Sequence, residues 1–185
     1  GPGFGGSCFK KDILNLVYLA NHYGLEEVAN FWESVVDLNY WHQKRISRLI
    51  VEKLFGTISD KKIAVLGFSF KANTNDTRES AAIQICKDLL EEGAILTIFD
   101  PKVFKNQIKQ DLELIEESNE YNKCLITNNM YDSFNNADAI IILTEWPEFS
   151  NIDWKLAYKK MRKPGWVFDS RSIVDSKDVL DANLK

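Results

Sequence analysis

From residue 57 onward, five short and strongly apolar runs alternate with segments of helical periodicity. No other feature of the chain restricts its fold as much. The runs are IAVLGFSF at 63–70, ILTIFD at 95–100, CLIT at 124–127, AIIILT at 139–144 and WVFDSR at 166–171. Such runs predict buried strands. Helices are predicted over about 79–92, with Ile83, Cys86, Leu89 and Leu90 on one face, and over 130–136 and 153–161. Gly93 ends the first of these helices, and Pro101 closes the second strand. Residues 105–122 are polar and charged and predict a variable surface excursion. Strands alternating with helices predict an α/β fold with a parallel, doubly wound sheet.

The first 56 residues differ. Gly1, Pro2, Gly3, Gly5 and Gly6 crowd the start, and a chain that begins inside such a loop is expected to be cut from something longer. Ile13, Leu16, Val17 and Ala20 mark a helix over 10–22, ended near Gly24. Leu25 to Phe55 contains neither Gly nor Pro. Leu25, Val28, Ala29, Trp32 and Val36 form one stripe there, and Ile46, Leu49, Ile50 and Leu54 another. A helix-turn-helix broken near Asn39 is possible. The absence of a breaker favours one long connecting helix that also packs against another subunit. The domain boundary is placed near 57, giving units 1–56 and 57–185.

The 185 residues and 21.3 kDa suit one ordinary domain plus an extra element. With 45% hydrophobic and 27% charged residues, disorder is excluded. A net charge of −4 makes nucleic acid a poor partner. No apolar run nears the roughly 18 residues of a membrane span, and no signal segment opens the chain. The 3 cysteines form no CxxC pair and only 2 histidines are present, so neither a disulfide framework nor a metal site is indicated. A cytoplasmic protein is expected.

Three segments carry chemistry. In GFGGSCFKKD, residues 3–12, Cys8 stands where the glycine loop enters a predicted helix. Free N–H groups and the helix dipole favour a thiolate there, and Lys10 and Lys11 add positive charge. Asp12 lies one turn beyond and can face the same cleft. Nucleophile, cation and carboxylate within five residues suit covalent catalysis. The same spacing also describes a small buried cysteine. In GFSFKANTNDTRES, residues 67–80, Arg78 and helix N–H groups can hold phosphates, although neither GxGxxG nor GxxxxGK[ST] is present. The alternative is a solvated loop with Thr77 or Asp76 as helix cap. In FDSRSIVD, residues 168–175, Asp169 and Arg171 follow a strand, where an arginine suits a phosphate or carboxylate. On that segment alone, a surface arginine in a turn is the better reading. Cys86 and Cys124 read as core, His42 and Glu116, Glu117 and Glu120 as solvated, and Trp146 and Pro147 as pocket or packing.

In order, GFGGSCFKKD, the long helix ending in KKIAVLGFSFK, NDTRES, GAILTIFDPKV, TEW and FDSR resemble the nucleotide-sugar 6-dehydrogenase family, most closely its members acting on UDP-glucose. The match spans nearly the whole chain except about 105–130. The resemblance implies the C-terminal portion of such an enzyme, with a long connecting helix followed by a Rossmann-like domain that binds the UDP-sugar. It implies NAD as cofactor, UDP-glucose or a related nucleotide sugar as substrate, and a homo-oligomer, at least a dimer through residues 25–55. Family members oxidise the sugar C6 alcohol to a carboxylate in two steps through a cysteine adduct.

By resemblance Cys8 is the nucleophile and Asp12 assists the water. Lys11 and Arg78 meet NAD, while Phe70, Lys71, Arg171 and the loop of Gly1, Gly3, Phe4 and Gly5 hold the substrate. Asn73 and Asn75 stand where many relatives carry Asp and Gly. The family's first Rossmann domain, with its GxGxxG, is absent, so the chain alone is expected not to turn over. A GDP-mannose or UDP-N-acetyl-hexosamine enzyme, and a non-catalytic nucleotide-binding and dimerisation module, remain alternatives.

Overall fold

A computed structural model describes residues 1–185. Helix α1 (Phe9–His22) packs against α2 (Glu26–Lys53). With no Gly or Pro to break it, α2 runs through Asn39 for 28 residues, about 42 Å. Its buried side is a narrow seam of Ala29, Val36, Gln43, Ser47 and Ile50, at near-heptad spacing. The stripes read from the sequence are broader than this: Leu16, Val28 and Leu49 are exposed, as are Phe31, Leu38 and Trp41.

Five strands follow: β1 (Lys62–Leu66), β2 (Ile95–Phe99), β3 (Cys124–Ile126), β4 (Ala139–Ile142) and β5 (Trp166–Asp169). They form one wholly parallel sheet in the order β3-β2-β1-β4-β5. The period of two along each strand sends side chains to two separate cores. Ile63, Val65, Leu96 and Ile141 pack with Ile50 of α2, with Leu54 just past its end and with α3 (Ala81–Glu91). Ala64, Leu66, Ile140 and Ile142 pack on the opposite face with Phe134, Phe149 and Trp154. The result is a three-layer α/β/α sandwich with the central helix docked on one outer layer. No helix is long and apolar enough to cross a membrane.

Two expectations are corrected. Residues 105–122 are not a mere excursion. They contain α4 (Lys105–Asp111) and the start of α5 (Asn119–Lys123), and Ile108 and Leu112 anchor them in the core. Helix α3 is capped by Ser80, not by Thr77 or Asp76. Ser80 has the extended backbone a cap requires, at φ −65° and ψ 131°, and its side chain accepts from the Ala82 amide. The chain continues through α6 (Met130–Ser133) and α7 (Trp154–Lys160), and a further short helix, α8 (Ser176–Asp181), closes it with Val179 buried.

Cys86 and Cys124 lie in the core, and burial pushes the Cys124 thiol up to about 12 and Cys86 well above its ordinary value. Below about pH 8.5 these thiols are protonated in both native and unfolded chains and add no pH dependence. Above that the unfolded thiols ionise while native Cys124 keeps its proton until about 12. Stability therefore falls across this window, by about 1.4 kcal/mol per pH unit for one thiol. Between about pH 8.5 and 10.5, Cys124 is expected to cost about 2–3 kcal/mol. Urea midpoints measured across this range should decline, and Cys124→Ala should decline less steeply. Parallel slopes for the two proteins would contradict the assignment.

Candidate active site

The segments singled out in the sequence meet at the C-terminal edge of the sheet. After β5 the chain turns around Asp169, whose carboxylate accepts the amides of Arg171, Ser172, Ile173 and Val174 at 2.8–2.9 Å. This turn aims Arg171 back across the sheet. Its Nε donates to the Leu143 carbonyl at 2.7 Å, and Nη2 to the Phe70 carbonyl at 3.4 Å. Glu145, just after β4, lies 3.3 Å from Nε. Arg171 therefore ties together the loops following β1, β4 and β5, and it is not the surface arginine its segment alone also allowed. Burial pulls its guanidinium below the ordinary arginine value, and Glu145 opposes that shift. N–H groups on Nη1 and Nη2 remain for an anionic ligand.

The loop after β1 is shaped from within. The Phe70 amide donates to the Asp76 carbonyl at 3.0 Å, and Asn73 takes a left-handed conformation at φ 64°, which asparagine tolerates well. Lys71 is exposed, with Nζ 5.3 Å from the centre of the half-buried Phe70 ring. Arg78 forms a two-pronged pair with Asp76, with contacts of 2.9 Å and 2.7 Å. That hydrogen bonding holds the Asp76 carboxyl below its usual range and raises Arg78. The Arg78 side chain nevertheless stays 68% exposed.

The glycine loop docks on this edge. The Gly6 amide donates to the Arg78 carbonyl at 2.9 Å. A Cβ on Gly5 would lie 2.3 Å from the Glu79 carbonyl oxygen, so the loop can approach this backbone only without a side chain there. A Cβ on Gly1 would lie 3.6 Å from Arg171 Nη1. Cys8 precedes α1 and is exposed, with Ser7 Oγ 3.7 Å from its sulfur. It is not the packed cysteine its spacing also allowed. Lys11 and Asp12 lie exposed on the first turn of α1, and Asp12 is joined to Cys8 only through its amide, 2.9 Å from the Cys8 carbonyl. Lys10 reaches Glu79 at 2.8 Å and the Tyr40 hydroxyl. Burial lowers its pKa, but these two partners outweigh it and leave it raised.

Several participants escaped the sequence reading. Glu145 had a signal, the TEW segment after β4. Asn39 and Tyr40 had none, being two polar groups within a long helix. His42, expected to be solvated, donates from Nε2 to the Gly1 carbonyl at 2.6 Å. No cluster of three or more His, Cys, Asp or Glu side chains is arranged to hold a metal.

A parallel sheet in this strand order, with cations and an exposed thiol on loops at its C-terminal edge, defines a Rossmann-like α/β domain. Residues 64–176 match the UDP-binding domain of the UDP-glucose/GDP-mannose dehydrogenase family, and residues 1–41 match its central domain. The chain belongs to that family. It is 49% identical over 177 residues to a UDP-glucose 6-dehydrogenase of Drosophila melanogaster and 47% identical over 176 residues to one of Gallus gallus. Each alignment covers 94% of this chain, which spans 37% and 36% of the length of those relatives. Among solved structures it resembles a UDP-glucose dehydrogenase of Pyrobaculum islandicum, with TM-score 0.76, 26% identity, and 100% of this chain and 37% of that one covered. A UDP-D-ManNAc dehydrogenase of Pyrococcus horikoshii gives TM-score 0.70 and 27% identity over 95% of this chain and 36% of that one.

Proposed function

We propose that this chain supplies the nucleophile and the UDP-sugar pocket of an NAD-dependent UDP-glucose 6-dehydrogenase. One observation carries the reading: the loop bearing exposed Cys8 is bonded through Gly6 to Arg78 and lies at Gly1 against Arg171. A thiol and two arginines are thereby gathered beside Lys71. The names of the relatives favour UDP-glucose over GDP-mannose or a UDP-N-acetyl-hexosamine.

In this reading Lys71 and the free N–H groups of Arg171 hold the diphosphate, and Phe70 and the loop of Gly1, Gly3, Phe4 and Gly5 enclose the sugar. The residues present fit part of NAD: Arg78 keeps most of its side chain exposed beside the cysteine loop, and Lys11 is an exposed cation one turn away. When bound, NAD supplies the hydride acceptor for both oxidations. Cys8 Sγ adds to C6 at the aldehyde level, forming a carbon–sulfur bond while the carbonyl oxygen takes up a proton. At the next oxidation level that bond belongs to a thioester. Water then attacks C6, Asp12 accepts its proton, and sulfur leaves as thiolate to release the carboxylate. The exposed Phe31, Leu38 and Trp41 of α2 further support self-association through the central helix.

Calorimetric titration of UDP and UDP-glucose tests the pocket. Lys71→Ala is expected to weaken both by about ten-fold or more, since a charge-assisted hydrogen bond contributes roughly 1.5–3 kcal/mol. Equal affinities for wild type and variant would remove Lys71 from the site.

A further inference from the structure

Asn39 sits at the middle of α2, half-buried beneath the glycine loop. Its carboxamide meets the backbone of Phe4 twice. The Phe4 amide donates to Oδ1 at 2.9 Å, and Nδ2 donates to the Phe4 carbonyl at 3.0 Å. One side chain thus satisfies both backbone groups of one residue, as a neighbouring strand would. The approach is close. Gly3 has φ 109°, and a Cβ there would stand 2.4 Å from Asn39 Oδ1. A side chain at position 3 would push the carboxamide off Phe4.

Asparagine is a weak helix former, and neither of these bonds serves the helix. Both serve the loop. Fixing the Phe4 backbone also fixes its ring, which meets Phe9 edge-on with centroids 4.7 Å apart at the start of α1. The loop is held again by His42, one turn further along α2. The Phe4 clamp and the Gly6–Arg78 bond lie on either side of Gly5, so the central helix and the sheet domain grip the loop from two directions.

We propose that Asn39 is a positioning residue that holds the glycine loop in its sugar-enclosing geometry from the central helix. The clamp is a matter of geometry alone, whereas its role rests on the proposed reading of the loop as the sugar's enclosure.

The full 185-residue chain tests this with Asn39→Ala and Asn39→Asp, the second keeping the Oδ1 acceptor but losing the donor. Amide exchange at Phe4, followed by NMR, reads the clamp. It is expected to quicken by about ten-fold in Asn39→Ala and by less in Asn39→Asp, as protection follows the hydrogen bonds retained. Unchanged exchange in both variants overturns the proposal. Calorimetric titration reads the role: UDP-glucose affinity should drop by about ten-fold while UDP affinity, which needs no sugar enclosure, stays within two-fold of wild type. A general loss of fold would lower both ligands equally, and that result counts against a positioning role. Faster exchange with unchanged UDP-glucose affinity also overturns it. If wild type, with Phe4 protected, binds no UDP-glucose, the reading of the pocket fails and this role with it.

Discussion

Carboxylate production from UDP-glucose is expected to fall by at least roughly a thousand-fold when Cys8 is replaced by Ala. The assay can use a chimera in which this chain replaces the matching 37% of the Drosophila melanogaster relative. Without the sulfur no carbon–sulfur bond forms at C6, and the second oxidation loses its covalent intermediate. The first oxidation does not need that bond, so the variant should release or retain aldehyde in place of acid. Separating acid from aldehyde in the product distinguishes loss of the nucleophile from general damage, which would lower both. A chimera that forms acid equally well with Ala at position 8 would rule out covalent catalysis by this residue. Cys8 suits the test because it is exposed, so its removal leaves no buried cavity.

Replacing Asp100 by Ala is expected to remove about 4 kcal/mol or more of stability, a large part of the 5–15 kcal/mol typical of a domain. Asp100 ends the strand run of β2 and is buried. Its Oδ2 accepts the Phe68 amide at 2.7 Å, the Ser69 amide at 3.1 Å and the Trp146 indole N–H at 3.2 Å. Its Oδ1 accepts the amides of Lys102 and Val103, both at 2.9 Å. Deleting the carboxylate strands several buried donors at once, and each costs roughly 1–3 kcal/mol where water cannot replace the acceptor. Urea unfolding should show the loss as a lower midpoint with an unchanged slope. A shift worth less than about 1 kcal/mol would mean that water fills the gap. In dinucleotide-binding sheets an acid near this place meets a ribose. Here both oxygens are used to join the loops after β1, β2 and β4, including the loop that carries Lys71.

Some of this was legible in the residues themselves. The strands, the sheet class and the unbroken α2 follow from local patterns: apolar runs of strand length, period 3.6, and the absence of a breaker between Leu25 and Phe55. Cys8, Lys71, Arg78 and Arg171 stand out because each lies in a loop next to a strand or helix end, whereas Phe70 enters only through the family resemblance. The helix over 105–111 does not stand out, since Ile108 and Leu112, four residues apart in a charged stretch, are too few to establish a helical period. The sequence does not single out Ser80 as the cap, because Asp76, Thr77 and Ser80 all carry a side-chain oxygen that can cap, and only the backbone path decides which one is extended at the helix start.

The clamp of Asn39 on Phe4 joins residues 35 apart, and that of Asp100 on Trp146 joins residues 46 apart. No local pattern names such a partner. Periodicity records which face of an element is buried, so the sequence determined the layers, the parallel sheet and the loops that carry the chemistry. Packing of the central helix and the strand ends against one another decided which polar groups meet. A hydrogen bond requires its two atoms within about 3 Å, and only the tertiary structure brings distant residues that close.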